Sequence, residues 1–458
     1  MNITLCEISQ AVSGKLYGTS DKVIKAVSFD SRSCGEGVLF AALKGEKRDG
    51  HEFIPSLCTT GAAALCSQKP ECDIDFILVS DVREALCSLA RWYKEKKCNL
   101  KKTVALTGSV GKTTTKDMIS CVLSESFSVY KTLGNYNNDI GVPMTVFGIE
   151  NIHELLVCEL GMNNFGEISR LTNIVYPDIS VITNIGTAHI GILGSRENIC
   201  KAKLEITDGM KEGSTLILNG DEPLLRDAAE ELRKRYNIIF AGLDSNNDVY
   251  ADNIKIGDVT EFDIHYGGGV YSAKLGVPGK HNVSNAVIAF SVGVECGMSP
   301  QTAADSLKKY SSHGVRQSIT NQNGVMVYAD CYNASCESMC ASLNVLCSDM
   351  YGKMRKIAVL GEMRELGEKT MELHKEVGKC VARCKPDMLF TLGNVAKEIE
   401  KSAVENGFSS DNCFNYDDRE EFVSALKNTV RSGDIVLFKA SLLVNFKEII
   451  SKLGFETQ

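Results

Sequence analysis

The stretch Thr103-Val-Ala-Leu-Thr-Gly-Ser-Val-Gly-Lys-Thr-Thr-Thr-Lys116 constrains this chain more than any other. The apolar run Val104, Ala105, Leu106 has the length of a buried strand, turns at Gly108 to Gly111, and continues into a helical face of Met118, Ile119, Val122 and Leu123. Strand, glycine turn and helix in this order make a loop whose backbone N–H groups can converge on a polyphosphate, with the positive end of a helix dipole behind them. Lys112 adds a cation and Thr113 a hydroxyl suited to a divalent metal. Gly108, Ser109, Gly111, Lys112, Thr113 and Thr114 are therefore the candidate nucleotide contacts. The common form of the loop, G-x-x-x-x-G-K-[ST], would have its first glycine where Leu106 stands. The competing reading is a plain structural turn before a helix, and it is weakened because strand and helix fall where the motif needs them.

With 458 residues and roughly 150 residues per domain, about three domains are expected. Residues 1–100 read as a small mixed α/β unit ending in the basic, linker-like stretch Lys94 to Lys102. Residues 101–312 read as a central α/β domain of the phosphate-loop type, with buried strands at 155–158, 179–182 and 215–218 following the first. Short apolar strands separated by helical segments imply a largely parallel sheet covered on both faces. A change of pattern near Ser311 to Gly314 opens a third, Rossmann-like α/β unit, 313–458. Its strands are expected at 325–329, 357–360, 388–392 and 435–438, and its last helix presents Phe446, Ile449, Ile450 and Leu453 on one face.

Composition narrows the function classes. A net charge of -8 argues against a general nucleic-acid binder. The opening residues lack the basic start and apolar core of a secretion signal, and no apolar run is long enough to span a bilayer, so a cytoplasmic location without membrane insertion is expected. The 18 cysteines are scattered, as reduced and mostly buried thiols would be. The cluster Cys331, Cys336, Cys340 and the pair Cys380, Cys384 lack the repeated Cys-x-x-Cys of a zinc site.

Other residues gain meaning from their place on the pattern. Glu159 stands at the carboxyl end of an apolar strand, where ligands gather in α/β sheets, and a carboxylate beside a phosphate loop suits Mg²⁺. The next strand delivers Asn184 and then His189. Asn135, Asn137 and Asn138 form an amide-rich turn that serves either a ligand or the backbone. Asn282 is a ligand contact or a helix cap. Lys203 reads, on composition, as a surface lysine of a helix.

Taken together, these segments resemble the Mur ligases, the ATP-dependent amide-forming enzymes of peptidoglycan synthesis. The phosphate loop 107–116, the signature Gly134 to Pro143 and the segment Glu159 to Ile168 carry the resemblance, and a loop lacking the early glycine is the family's norm. The resemblance implies ATP and Mg²⁺, with Thr113 and Glu159 on one ion and His189 on a second. It places a CO₂-derived carbamate on Lys203, the adenine beside Asn282, and Arg316 and Asp330 on the nucleotide side of the last domain. Lys112, Glu159, His189 and Lys203 become the catalytic set, and Asn135, Asn137 and Asn138 substrate contacts. The segment Phe29-Asp30-Ser31-Arg32, with Gly45 to Ile54, resembles a uridine-nucleotide site through Ser31 and Arg32. The implied partners are UDP-N-acetylmuramoyl-tripeptide and D-alanyl-D-alanine, acted on by a monomer.

Gly361 to Gly367 with His374 also follows the family. Two segments depart from it. Tyr332-Asn333-Ala334-Ser335-Cys336 stands for Tyr-Asn-Ala-Asn-Pro, and Lys439-Ala440-Ser441-Leu442 for Lys-Gly-Ser-Arg. They leave the contacts to the incoming amine open. The alternatives beside this reading are the family's ligase for the third amino acid, a folylpolyglutamate synthase, and a nucleotide-binding protein without turnover.

Overall fold

In the computed structural model, which describes residues 1–312 and 314–457, three large sheets succeed one another along the chain, beside a two-stranded antiparallel pair, Ile3–Thr4 with Val23–Ile24. His313, the first residue of the expected third unit, and Gln458, its last, lie outside the described residues.

The first sheet has five strands in the order Lys15–Tyr17, Asp75–Leu78, Ala63–Cys66, Val38–Ala41 and Ala26–Ser28. Only the first pair is antiparallel. The helix Val82–Lys97 follows, capped by Asp81, whose side chain accepts from the backbone of Arg83 and Glu84. Because this helix runs to Lys97 and the next strand begins at Lys102, the linker expected from Lys94 onward shrinks to 98–101. Lys94, Lys96 and Lys97 instead occupy the last helical turn, where cations suit the dipole.

The central sheet has nine strands. Around the phosphate-loop strand Lys102–Thr107 lie Leu155–Glu159 and then Val129–Lys131 on one side, and Ile179–Ile182, Thr215–Asn219 and Asn237–Gly242 on the other, all parallel. Val104 and Leu106 face one layer, where the helices Lys112–Leu123 and Lys280–Glu295 bury Met118, Ile119, Val122, Val283 and Val287. Ala105, Leu156 and Cys158 face the other, against Val142, Ile168 and Leu171. This two-sided burial is why these strands read as continuous apolar runs. The sheet then continues through Val249–Lys255 into an antiparallel extension, Thr260–Tyr266 and Gly269–Leu275, that the expected strands did not include.

The last sheet is ordered Ser318–Gln322, Val325–Ala329, Asp434–Lys439, Arg355–Gly361, Met388–Leu392 and Cys413–Tyr416. It is parallel apart from the first hairpin, which turns at Asn323-Gly324, both in the left-handed region. The final helix, Phe446–Lys452, buries Phe446, Ile449 and Ile450 against this sheet. Among the described residues no helix is long and apolar enough to cross a membrane.

Candidate active site

In-register pairing of parallel strands brings three strand ends to one edge. Glu159 pairs with Leu106, and Ile182 with Thr107, so Glu159, the loop after Thr107 and the loop after Ile182 open together. They line a cleft of about 860 Å³ whose opposite wall comes from the last domain through Arg316, Gln317, Asp330, Tyr332, Glu337 and Lys439.

The phosphate loop is held open by its neighbours. Asn184 Oδ1 accepts from the N–H groups of Ser109 (3.1 Å) and Val110 (3.0 Å), its amide donates to the Val110 carbonyl at 3.0 Å, and the Thr183 hydroxyl donates there at 2.8 Å. Thr183 is close enough that a Cβ on Gly108, at φ +157, would sit 1.9 Å from its hydroxyl, so only glycine fits. Lys112 folds back, its Nζ donating to the carbonyls of Gly108 (2.8 Å) and Ser109 (3.3 Å). Burial pushes its pKa down, opposed by the Glu159 carboxylate. The Ser109 hydroxyl is buried without a partner at the cleft wall. An orphaned hydroxyl in a loop of inward N–H groups fits an anionic ligand.

Glu159 is 2 % exposed, which a bare carboxylate would not tolerate. Its Oε1 accepts from Asn137 Nδ2 at 2.9 Å and its Oε2 from the Thr113 hydroxyl at 2.8 Å, while Lys116 Nζ lies 3.9 Å away. Carboxylate and hydroxyl oxygens together are a donor set for a hard cation such as Mg²⁺. His189, at φ +65, lines the same cleft with Nδ1 2.8 Å from Glu365 Oε2 of the last domain. Its Nε2 is the nitrogen left for another ligand.

Lys203 is a correction. It is 2 % exposed, not a surface residue, and makes no hydrogen bond or ion pair among the described residues. Burial, with the Lys112 cation adding to it, pushes its pKa well below the ordinary lysine value. Burial thus disfavours its charged form, and the uncharged amine is the form that can add CO₂.

The other candidates divide. Asn135 and Asn137 line the cleft, as does Asn138, whose Oδ1 is occupied by the N–H groups of Ile140 and Gly141. Thr114 lines it too. Asn282 does not line the cleft: it is 1 % exposed, its amide donates to the Pro278 carbonyl and to the side-chain oxygen of Gln317 at 2.7 Å each, and its Oδ1 is unpartnered. The Arg316 guanidinium stacks 3.6 Å from the Tyr332 ring. Asp330 accepts from Lys439 Nζ at 2.6 Å and from Ser342 at 2.7 Å. Ser31 and Arg32 do not line the cleft; they sit on the first domain, where exposed Arg32 pairs with Asp30 at 2.7 Å.

Asn285 and Glu337 had not been singled out, whereas His374 had. Asn285 faces Gly111, and Glu337 accepts from Thr187 at 3.1 Å across the domains. His374 is fully buried, its Nε2 accepting from the Met363 N–H at 3.0 Å and its Nδ1 donating to the Thr370 carbonyl at 2.7 Å, so it shapes the 361–367 loop. At the departing segments, Ser335 caps the helix Cys336–Leu346, and Leu442 and Leu443 stand exposed. Ser335 accepts from the Ser338 N–H in a capping box, a role that suits serine.

A phosphate loop, a carboxylate and hydroxyl at one sheet edge, and a cleft closed by a further α/β domain define an ATP-using ligase. The chain belongs to the Mur ligase family: residues 23–94 match the "Mur ligase family, catalytic domain", 106–293 the "Mur ligase middle domain" and 316–442 the "Mur ligase, glutamate ligase domain". It is 37% identical to the UDP-N-acetylmuramoyl-tripeptide–D-alanyl-D-alanine ligase of Bacillus subtilis, over 98% of each chain. Among solved structures it is similar to MurF from Acinetobacter baumannii (TM-score 0.91, 28% identity, 99% of both chains). It is also similar to MurF ligase from Thermotoga maritima in complex with ADP (TM-score 0.82, 29% identity, 93% of this chain and 96% of that one).

Proposed function

We propose that this chain joins D-alanyl-D-alanine to UDP-N-acetylmuramoyl-tripeptide at the expense of ATP, through an acyl phosphate, giving the pentapeptide nucleotide, ADP and phosphate. The observation that carries this reading is full-length similarity to ligases so named, combined with a phosphate loop whose Ser109 hydroxyl waits unpartnered beside the Thr113–Glu159 pair. The first domain, 1–100, takes the nucleotide sugar through Ser31 and Arg32; 101–312 takes ATP; 313–458 takes the incoming amine. The enzyme acts as a monomer in the cytoplasm, where ATP and reducing conditions suit its nucleotide loop and free thiols.

A carboxylate approaching a triphosphate is repelled, so the site must neutralise both. Lys112 and the loop N–H groups turn to the phosphates, exchanging the Gly108 and Ser109 carbonyls that Lys112 now holds. Thr113 and Glu159 would hold one Mg²⁺, and His189 with a carbamylated Lys203 a second. Such ions supply charge neutralisation on the transferring phosphoryl group. Asn282, buried next to His281 of the cleft wall, has an unpartnered Oδ1 that would take the adenine amino group once the base enters, and Arg316, which lines the cleft, would cover the nucleotide from the last domain. Closure of that domain, already touching through Thr187–Glu337 and His189–Glu365, keeps water from the acyl phosphate until the amine attacks.

The test is phosphate release from ATP and Mg²⁺ with UDP-N-acetylmuramoyl-tripeptide, with and without D-alanyl-D-alanine, reading product mass in the same tubes. Dipeptide-dependent release with pentapeptide nucleotide formed is expected. Release driven by a diamino acid on the dipeptide nucleotide instead would move the assignment to the third-residue ligase, and ATP binding without release to a non-catalytic role.

A further inference from the structure

Outside the cleft, four thiols form a row across the seam between the helices Cys336–Leu346 and Thr370–Cys384. Each helix carries two cysteines at i and i+4, Cys336 with Cys340 and Cys380 with Cys384, which places each pair on one helical face. The two faces meet. Cys380 Sγ lies 4.0 Å from the Cys340 carbonyl oxygen and within hydrogen-bonding reach of the Cys340 thiol, which also reaches Cys336. One turn on, Cys384 Sγ is 3.8 Å from Cys380 Sγ and 3.2 Å from Asn344 Oδ1. All four are free thiols; Cys380 is buried and the other three are half-buried, so the row leads from solvent to the seam. Nη2 of Arg383 donates to Cys380 Sγ at 3.4 Å.

We propose that Cys340 and Cys380 are a redox-reactive pair, oxidised by hydrogen peroxide to a disulfide that staples these two helices together. In the first step the Cys380 sulfur attacks one peroxide oxygen: an S–O bond forms, the O–O bond breaks, and the departing hydroxide takes up a proton as water. In the second, the Cys340 sulfur attacks the sulfenic sulfur of Cys380: the S–S bond forms, the S–O bond breaks, and the oxygen leaves as a second water carrying the Cys340 proton. The two thiols lose two electrons and the peroxide gains them. A dithiol reductant reverses the change.

The roles follow from the surroundings. Hydrogen bonds from the Cys340 and Cys384 thiols, with the Arg383 guanidinium alongside, pull the Cys380 pKa down and favour its thiolate, the nucleophilic form. Hydrogen bonds to Cys336 and then Cys380, with burial, push the Cys340 pKa up, favouring the thiol that has a proton to give. Among the described residues no group of three or more His, Cys, Asp or Glu is arranged to hold a metal ion, which favours oxidation over metal capture here.

The staple would matter beyond the seam. Glu337, in the first turn of one helix, meets Thr187, and Glu365, shortly before the other, meets His189. Oxidation fixes the relative placement of two of the points through which the last domain touches the central one.

The full chain is treated with hydrogen peroxide under native conditions, free thiols are alkylated, and the digest is read by mass spectrometry. The expected result is a peptide bearing Cys340 joined to one bearing Cys380, removed by dithiothreitol, absent in Cys340→Ser and Cys380→Ser, and retained in Cys336→Ser and Cys384→Ser. Recovery of Cys340 and Cys380 as alkylated thiols after exposed cysteines have been consumed would overturn the proposal. So would a Cys380–Cys384 bond in place of the Cys340–Cys380 one. Thermal melting of each reduced variant separates a lost cross-link from a lost fold.

Discussion

The Thr113 hydroxyl donates to Glu159 Oε2 across 2.8 Å, tying the first turn of the phosphate-loop helix to the carboxyl end of the neighbouring strand. The pair closes one side of the cleft with hard oxygen donors. Glu159→Gln removes the charge while keeping the shape, and should lower turnover by about 10²-fold or more while raising the Mg²⁺ concentration needed for half-maximal rate. Thr113→Ser keeps the hydroxyl and should retain most activity; Thr113→Ala should not. A magnesium titration of the three variants checks this, and an unchanged requirement in Glu159→Gln would remove Glu159 from the metal.

Gly108 is bound to be glycine by Thr183, whose hydroxyl would lie 1.9 Å from an added Cβ. Gly108→Ala should shift the loop, weaken ATP binding at least ~10-fold, and cost about 1–3 kcal/mol of stability. Calorimetric titration with a non-hydrolysable ATP analogue, beside a melt, measures both. Thr183→Ala in the same chain should restore part of the loss by opening the space.

Lys203 is buried, and desolvation disfavours its charged ammonium. With ¹³C-labelled bicarbonate, the wild-type chain should show a carbamate resonance that Lys203→Ala lacks, and Lys203→Ala should be nearly inactive while still folded. A carbamate signal that survives the substitution would place the modification elsewhere.

His374 holds the Met363 N–H on its unprotonated Nε2, and burial lowers its pKa despite the nearby Glu362 and Glu398 carboxylates. A histidine with a folded pKa below its unfolded value of ~6.5 binds protons more readily when unfolded. Its contribution to stability is therefore complete above about pH 6.5 and lost as the pH falls below it. Buried His281, also lowered by desolvation, acts in the same direction. Urea midpoints between about pH 7.5 and 5.5 should fall with pH, and the fall should be shallower in His374→Asn.

Asp330 and Lys439 form a buried pair 2.6 Å apart, and the Lys439 ammonium also reaches the carbonyls of Asp330 and Asn333 at 3.3 Å each. Asp330→Ala would strand that cation and should cost about 3–5 kcal/mol. Lys439→Met, which removes the charge with its partner's attraction, should leave Asp330 unpaired and also destabilise. The double substitution should cost less than the sum, which a denaturation cycle reads directly.

Much of the scaffold was legible because its signals are local. The strands Val325–Ala329 and Met388–Leu392 fall on the expected residues, since apolar runs buried on both faces have sharp polar ends. The missed strands had signals of their own: Asn323-Gly324 marks the hairpin before Val325, and Gly267-Gly268 the one between Thr260–Tyr266 and Gly269–Leu275. Their strands were overlooked because half their residues are polar and solvent-facing. The cleft was legible in part: Glu159 stood out at a strand end, but Asn184 gave no hint that its amide would buttress the loop.

What the sequence determined by itself was the phosphate loop, its glycines and the alternation of strand and helix, because turn chemistry and side-chain periodicity act between neighbours in the chain. What only the tertiary structure decided was the burial of Lys203, the meeting of Thr113 with Glu159, the closure of His189 against Glu365, and the row of thiols from Cys336 to Cys384. Each depends on which strand ends and helix faces the folded sheets bring side by side, and desolvation or a hydrogen bond from a distant residue changes a side chain's chemistry only once that packing exists.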